Sequence, residues 1–212
     1  MAPQSHLTCI RYASQFPYAL TVLQDPHMKQ DTLYSQTRDS QTCMALAAGY
    51  FLYDLFICTY RYSENGAAFF LHGFICCLAY TYPILSGHLH YMGASFLMWE
   101  ISTPFLYFRW YLIKAGRGHT MLMHIANLLF AISFFGCRIV YGPIMSWNFW
   151  KSSGLDLANP RGVHGIPSAV TYCYRTALFV LNGLNYYWFT AIIRAGFRKD
   201  RRTQTEFESK ND

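Results

Sequence analysis

The sequence contains few charged residues for its length. Lys, Arg, Asp and Glu make up 13% of its 212 residues, whereas apolar residues make up 53% and aromatic residues 18%. An ordinary soluble domain has roughly 25% charged residues. No charged residue lies within 65–99, 118–137 or 176–193, and even the shortest of these stretches approaches the ~20 residues with which a helix crosses a bilayer. This composition excludes a soluble globular protein and predicts an integral membrane protein.

Several motifs of metal binding and of soluble catalysis are also missing. The seven cysteines include no CxxC pair, and the sequence has no Gly-rich phosphate loop, no GxSxG elbow and no HxxxH cluster. His88 and His90 have a spacing that suits a metal, but they lie in a predicted turn without a third ligand. We therefore expect no metal and no cofactor. The cysteines inside apolar runs are predicted to be buried thiols: Cys58, Cys76, Cys77, Cys137 and Cys173.

The apolar runs predict five transmembrane helices, at 43–60, 67–85, 91–113, 119–141 and 169–193. Residues 86–90 form a short turn between the second and third of them. The segment 143–167 is rich in Trp, Gly and Asn and is typical of an interfacial loop. Residues 7–23 are apolar enough for half a span, which indicates either a weak sixth helix or the remnant of a shortened one.

The predicted fold class is all-α: a polytopic transmembrane helix bundle of about five spans plus a weak or truncated N-terminal helix. Only helices and closed barrels satisfy every backbone polar group inside lipid. We divide the chain into an N-terminal segment at 1–42, the bundle at 43–197 and a basic, polar tail at 198–212.

Positive charges orient this bundle. The chain has 17 Lys and Arg against 11 Asp and Glu, but the basic residues form no stripe of the kind that binds nucleic acid, and nucleic acid is not an expected partner. Arg61, Lys114 and Arg117 fall in loops on the same side as the basic tail, whereas the 86–90 turn has no Lys or Arg. Because cytoplasmic loops carry an excess of Lys and Arg, the C-terminus is predicted to be cytoplasmic.

Every predicted span carries a polar or charged residue. Such residues are costly in hydrocarbon, so they are expected to face the bundle interior. With ~1.5 Å of rise per residue, several of them fall at a similar depth in the cytoplasmic half, and Arg138 and Arg175 are expected near the opposite face. The candidate lipid-binding residues are Asp54, His72, Glu100, Thr103, His124, Asn127, Arg138, Arg175, Asn182 and Asn185.

Two interpretations of these residues remain open. Convergence at one depth indicates a site for a lipid headgroup, an acyl carbonyl or a thioester, in which a neutral histidine beside a carboxylate acts as a general base. Alternatively, Asn, His and Thr side chains hydrogen-bond across helices and serve packing alone, at about 0.6–2 kcal/mol each.

Five motifs resemble the TLC-domain family, in the branch of small TLC-domain-containing proteins. They occur in order between residues 16 and 198: GYFLYDL (49–55), FLH (70–72), WEISTPFLYFRWYL (99–112), RIVYG (138–142) and LNGLNYYWF (181–189). The resemblance implies a multi-pass membrane protein, in the endoplasmic reticulum rather than the plasma membrane, tied to lipid synthesis, transport or sensing.

The resemblance to ceramide synthases, which transfer an acyl group from acyl-CoA, is distant. Those enzymes have an adjacent histidine pair; here His72 matches the first and Gly73 replaces the second. Their later pair of aspartates falls at Glu100 and Thr103, so one acid is kept as glutamate and the other is lost. A mechanism that needs both histidines would be broken.

The leading hypothesis is therefore a TLC-like protein of lipid homeostasis that binds, senses or traffics a lipid through a polar intramembrane cavity, without demonstrable catalysis. The first alternative is an acyl-CoA-dependent N-acyltransferase similar to ceramide synthase, with His72 as the base, Glu100 as its orienting partner and acyl-CoA as a substrate. The second is a structural or partner-binding membrane protein. Membrane lipids are the expected partners, and a homo- or hetero-oligomer is compatible with the sequence.

Overall fold

The computed structural model describes residues 15–208, with side chains for residues 15–195. Within these residues the chain is helical and has no strand, which confirms the all-α class. Residues 7–14 of the predicted N-terminal helix lie outside the described residues. The helices are α1 (Gln15–Gln24), α2 (Pro26–Gln30), α3 (Arg38–Tyr60), α4 (Tyr62–Ser86), α5 (His90–Leu97), a 3₁₀ helix (Met98–Ser102), α6 (Thr103–Lys114), α7 (Met121–Phe134), a π-helix (Phe135–Tyr141), α8 (Gly142–Ala158), a second 3₁₀ turn (Gly162–His164) and α9 (Ser168–Glu208).

Three helices among the described residues are long and apolar enough to cross a membrane: Arg38–Tyr60, Tyr62–Ser86 and Met121–Ala158. They contain the first, second and fourth predicted spans. The predicted third span is helical but divided into α5, a 3₁₀ helix and α6. Helix α9 covers the predicted fifth span and continues to Glu208, so the polar tail expected from residue 198 begins within a helix.

The prediction of an interfacial loop over 143–167 is wrong for most of that segment. Residues Gly142–Ala158 form helix α8, which continues from α7 through the π-helix. A proline normally ends a helix because its ring clashes with the carbonyl group of the preceding turn. Here Pro143 lies in the first turn of α8, directly after the wider turns of the π-helix, where the chain tolerates it.

The outward surface of the bundle is apolar. Leu52, Phe56, Leu128 and Phe179 are 61%, 66%, 61% and 80% exposed, whereas Glu100 and Arg138 are each only 5% exposed. Soluble monomers rarely expose large apolar patches. In lipid, by contrast, apolar side chains lie on the outer surface and polar groups are satisfied inside the protein. The distribution of side chains therefore agrees with a membrane protein.

A buried histidine fixes the corner between α4 and α5. His90 Nδ1 lies 2.8 Å from Ser40 Oγ on α3, and His90 Nε2 lies 3.1 Å from the carbonyl oxygen of Pro83 on α4. Leu89, the residue before it, has a left-handed conformation (φ 64°) that is unusual for a bulky side chain. Its N–H group donates to the carbonyl oxygen of Leu33 at 2.6 Å. His90 thus has a structural role in joining three helices.

The 86–90 turn and the loop after α8 meet at one end of the bundle. Tyr34 Oη donates to Asp156 at 2.7 Å and accepts from the backbone N–H of Ile166 at 3.0 Å, and its ring makes an edge contact with His88. Arg161 lies over the same ring and forms an ion pair of 2.7 Å with Asp31. We call this the Tyr34 end. The chain runs from the Tyr34 end through α5, the 3₁₀ helix and α6 to Lys114. The loop at 115–120, which connects α6 to α7, therefore lies at the other end.

Free thiols account for the six cysteines among residues 15–195. Cys58 and Cys76 are buried, as expected, but Cys173 is exposed on α9. Cys77 and Cys137 are only partly buried. The prediction that all cysteines of the apolar runs are buried is therefore confirmed for Cys58 and Cys76 and wrong for Cys173, which points outward from the bundle.

Candidate functional site

Arg138 lies at the centre of the buried polar residues. It belongs to the π-helix, and its guanidinium group donates to three side chains from two other parts of the chain: Glu100 Oε1 at 2.7 Å and Ser102 Oγ at 3.2 Å on the 3₁₀ helix, and Asn185 Oδ1 at 3.1 Å on α9. A further, longer contact of 3.4 Å reaches Thr103 Oγ1. The face of the guanidinium lies 5.4 Å from the centroid of the Phe134 ring. Arg138 therefore ties the π-helix to the 3₁₀ helix and to α9.

The expectation that Arg138 lies near the opposite face from Glu100 is wrong. That expectation ended the fourth helix at residue 141, which would place Arg138 almost at its end. The helix instead runs from Met121 to Ala158 without leaving the helical conformation, so Arg138 lies near its middle. The depth estimated from the sequence failed because the helix end was misplaced.

Glu100 accepts hydrogen bonds from two directions. Its Oε1 atom accepts from Arg138 and its Oε2 atom accepts from Thr103 Oγ1 at 2.7 Å. The 3₁₀ helix also brings Ser102 to the buried side: on a regular α-helix Ser102 would lie about 200° around the axis from Glu100, whereas here Glu100, Ser102 and Thr103 are all buried. We call Glu100, Ser102, Thr103, Arg138 and Asn185 the Arg138 cluster.

The charges within the Arg138 cluster compensate one another. A carboxylate and a guanidinium group removed from water each lose several kcal/mol of hydration, and only close, well hydrogen-bonded pairing restores it. The 2.7 Å contact and the neighbouring hydroxyl and amide groups provide that pairing. The opposite charges of Glu100 and Arg138 therefore balance inside the bundle.

His72 lies beside this cluster on α4. Its Nε2 atom is 3.7 Å from Glu100 Oε1, which is longer than a hydrogen bond. Cys76, one turn later on the same helix, has its sulfur 3.8 Å from Nε2 and 3.9 Å from Nδ1. The rings of Trp188 and Phe51 make edge contacts with the imidazole. His72 thus has aromatic walls and one acidic neighbour.

Asp54 approaches the same region from α3. A side-chain carbon on Gly73 would lie 3.3 Å from Asp54 Oδ2, so the absence of a side chain at Gly73 leaves space for the carboxyl group. Cys58 Sγ is 4.0 Å from Asp54 Oδ2. The lack of a side chain at Gly73 therefore lets α3 and α4 approach closely.

Helices α8 and α9 are joined by further polar contacts toward the Tyr34 end. Asn182 Nδ2 donates to Ser146 Oγ at 2.9 Å. Arg175 Nε donates to Ser153 Oγ at 3.1 Å, and its guanidinium group covers the ring of Trp150 at 4.5 Å. Asn182 and Arg175 are candidate residues that the structure places in a helix–helix interface rather than in contact with His72.

Two other candidate residues lie on α7, away from the Arg138 cluster. Asn127 Oδ1 accepts a hydrogen bond of 2.5 Å from Arg109 Nε, and Arg109 also lies over the ring of Phe130. His124 is exposed, and its Nδ1 atom is 3.0 Å from the carbonyl oxygen of Thr120. The structure therefore brings together Glu100, Thr103, Arg138 and Asn185, with His72 and Asp54 adjacent, and separates Asn127 and His124 from them.

A small cleft runs from His72 and Glu100 toward the Tyr34 end. It encloses about 50 Å³ between α4, α5, α8 and α9 and is partly open. Its walls are mainly apolar, with His72 and Glu100 at the end near the Arg138 cluster and Leu89 and Pro83 at the other. The hydroxyl groups of Tyr80 and Tyr174, which also line it, donate to backbone carbonyl groups.

Sequence reasoning missed the serines that complete these contacts: Ser102, Ser146 and Ser153. Ser102 lies two residues after Glu100, a spacing that on a regular α-helix puts the two side chains on nearly opposite sides of the axis. Ser146 and Ser153 lie in the segment that was predicted to be a loop. A second close contact was also missed: Gly142 faces Trp99, and a side-chain carbon there would lie 2.8 Å from the indole nitrogen.

The family profile and similar curated proteins point to the same family. The TLC-domain family profile matches residues 4–194. An uncharacterized TLC domain-containing protein of Schizosaccharomyces pombe is 30% identical over 189 residues, which are 89% of this chain and 58% of that protein. TLC domain-containing protein 4-B of Danio rerio is 26% identical over 82% of this chain and 65% of its own length. Protein CLN8 of Canis lupus familiaris is 27% identical over 63% of this chain and 48% of its own length.

The chain spans between about half and two thirds of the length of these relatives. No solved structure matches it significantly.

Proposed function

Because the chain belongs to the TLC-domain family, we propose that it is a multi-pass membrane protein of lipid homeostasis that binds, senses or traffics a membrane lipid in the cleft beside His72. The observation that carries the proposal is the cleft itself, which has His72 and Glu100 at one end and apolar walls along the rest. Ligand sites commonly combine apolar walls with a few convergent polar groups. A lipid has the same division into a polar group and an apolar chain.

The proposal includes a location and an orientation. Lys114 and Arg117 around the connection between α6 and α7, together with the basic C-terminal tail, support a cytoplasmic C-terminus, and the family resemblance supports the endoplasmic reticulum rather than the plasma membrane. The cleft would then have its polar end on the cytoplasmic side. Membrane lipids are the proposed partners, and association with further copies or other proteins is compatible with the exposed apolar faces.

The hydrogen bonds of Glu100 favour lipid binding over catalysis. A catalytic histidine is oriented by a carboxylate that hydrogen-bonds to its ring. Glu100 already accepts from Arg138 and Thr103, and its nearest atom to His72 is 3.7 Å away. The Glu100 carboxylate is thus positioned to pair with Arg138 rather than to orient the His72 ring.

An acyl-CoA-dependent N-acyltransferase is the second candidate, because His72 nevertheless lines the cleft and lies next to a carboxylate. In that case His72 would take a proton from the amine as it attacks the thioester carbonyl, the C–S bond would break and CoA would leave as its thiol, and the amide product would depend on His72. Membranes that contain the protein would be incubated with labelled acyl-CoA and a sphingoid base. An amide product that is lost on His72→Ala supports the enzyme; equal product with and without His72 removes it.

The binding proposal is tested by filling the cleft. Ala177 lines the cleft on α9, whereas its neighbour Thr176 is exposed. We expect Ala177→Phe to lower the amount of lipid that co-purifies with the protein, because the larger ring occupies the cleft, and Thr176→Phe to leave it unchanged. Ala177→Leu provides a milder variant, and thermal unfolding shows which variants are folded.

The proposal fails if folded Ala177→Phe and Ala177→Leu proteins retain the same lipids in the same amounts as Thr176→Phe. Under a purely structural role for the interior polar groups, substitutions in the cleft would change thermal stability and leave the lipid composition as it was.

A further inference from the structure

We propose that the lipid group held beside His72 is small and uncharged: a hydroxyl, ester or amide at the end of a hydrocarbon chain. This inference rests on the proposed function and specifies its ligand. It follows from how the charges of the Arg138 cluster are used, from the hydrogen-bonding capacity of His72 and from the size and direction of the cleft.

The guanidinium group of Arg138 is not available to an anionic headgroup. Its Nε, Nη1 and Nη2 atoms donate to Ser102, Asn185 and Glu100, and the residue is 5% exposed. Phosphate and carboxylate groups are typically bound by the planar, forked donors of arginine. Because this arginine donates within the protein and does not line the cleft, the site has no strong donor for a phosphate.

The carboxylate of Glu100 is equally unsuited to a cationic headgroup. Arg138 compensates its charge at 2.7 Å, and Thr103 donates to its second oxygen. An ammonium group removed from water requires an uncompensated counter-ion. Asp54 lies near this region but is not among the residues that line the cleft. The polar end of the cleft therefore presents hydrogen-bonding atoms with little net charge.

His72 supplies the remaining polar contact. Its side chain is 12% exposed, and its ring nitrogens lie 3.7 Å from Glu100 Oε1 and 3.8–3.9 Å from Cys76 Sγ, distances at which hydrogen bonds are weak. A neutral imidazole has one donor and one acceptor nitrogen. It can therefore donate to an ester or amide carbonyl group, or accept from a hydroxyl group.

The shape of the cleft limits the size and sets the direction of the ligand. The enclosed space of about 50 Å³ has room for about three to five water-sized groups, so a single hydroxyl or carbonyl group fits between the side chains, whereas a longer chain requires the walls of the cleft to move apart. From His72 to Pro83 the α4 wall extends about 16 Å at 1.5 Å per residue. The hydrocarbon chain would lie along this apolar wall, toward Leu89 and the Tyr34 end.

Three photoreactive probes with the same alkyl chain test the inference on the full-length purified protein: a monoacylglycerol, a lysophosphatidate and a primary alkylamine. Mass spectrometry of the labelled peptides locates the crosslinks. We expect the monoacylglycerol to label residues around Cys76 and Leu178 at least about fivefold more than either charged probe. Unlabelled monoacylglycerol should compete for this labelling, and unlabelled lysophosphatidate should not.

Substitution of His72 tests the contact that the inference assigns to it. One neutral hydrogen bond corresponds to about a two- to tenfold change in affinity, so His72→Leu should lower labelling by the monoacylglycerol, at a concentration below saturation, by that factor. His124→Leu, a substitution of an exposed histidine on α7, should leave labelling unchanged. The competition experiment on the unsubstituted protein needs no variant, so it remains decisive if His72→Leu does not fold.

The outcomes separate this inference from the proposed function. Equal or stronger labelling of the cleft by the lysophosphatidate or by the alkylamine would overturn the uncharged ligand and leave lipid binding in the cleft intact. Labelling confined to the outward faces of the helices, with none in the cleft for any probe, would overturn both.

Discussion

Replacement of Arg138 by methionine should destabilise the bundle strongly. The change leaves the Glu100 carboxylate buried, at 5% exposure, without the guanidinium group that lies 2.7 Å away. It also removes the donors to Ser102 and Asn185. Methionine approximates the length of the side chain, so the loss concerns charge and hydrogen bonding more than volume.

Removing one partner of a buried ion pair typically costs about 3–5 kcal/mol. For a chain of this size each kcal/mol shifts the melting temperature by about 2–4 °C, so Arg138→Met should melt about 6–20 °C lower. The double variant Glu100→Met with Arg138→Met removes both charges. Its loss should be smaller than the sum of the two single losses, because no uncompensated charge remains.

A surface ion pair of the same length provides the control. Arg161 and Asp31 also approach to 2.7 Å, but the arginine side chain is 53% exposed, and exposed pairs contribute under about 1 kcal/mol. Thermal unfolding in one detergent, followed by tryptophan fluorescence, compares the variants. If Arg138→Met melted within 3 °C of the parent, or no lower than Arg161→Met, the central role of the buried pair would be refuted.

Three further predictions concern other parts of the molecule. Gly142→Ala should lower stability by about 1–3 kcal/mol because the new methyl group crowds a buried indole, whereas Gly136→Ala, with no atom within 4 Å of the added carbon, should not; equal melting temperatures would contradict this. Asn127→Ala should lower stability, because Arg109 loses its partner, without changing the bound lipid; a change in lipid would show that Asn127 belongs to the site. Burial lowers the pKa of His88 below its ordinary value of about 6.5, so the unfolded chain takes up the proton first and stability should fall from pH 7 toward pH 5; melting curves of His88→Phe should show a weaker pH dependence, and an unchanged slope would argue against it.

Turn residues and the length of the apolar runs predicted the helices that end at a glycine-containing turn or at a charged residue. The turn between α4 and α5 follows from the Ser-Gly sequence at its start, and Gly87 adopts the left-handed conformation (φ 74°) that glycine permits. Hydrophobic length predicted α3 and α4. The same signals wrongly predicted that the helix ends at Pro143. The helix continues because a π-helix directly precedes the proline, and no composition pattern indicates a π-helix.

The site was only partly accessible to sequence reasoning. The cost of buried charge correctly predicted that Glu100 and Arg138 point inward. Their partnership could not be predicted, because it depends on the 3₁₀ and π-helical segments, which rotate Ser102, Thr103 and Arg138 out of the register of a regular α-helix. Asn127 was assigned to the candidate site because of its depth, but its partner is Arg109 on the neighbouring helix.

The most direct test is a density map of the purified protein in a lipid bilayer at a resolution that shows lipid chains. The account predicts elongated density between α4, α5 and α9, with its end within hydrogen-bonding distance of the His72 ring and its length directed toward Leu89. A map in which this cleft is closed by side chains, with every ordered lipid on the outward faces of the helices, would contradict it.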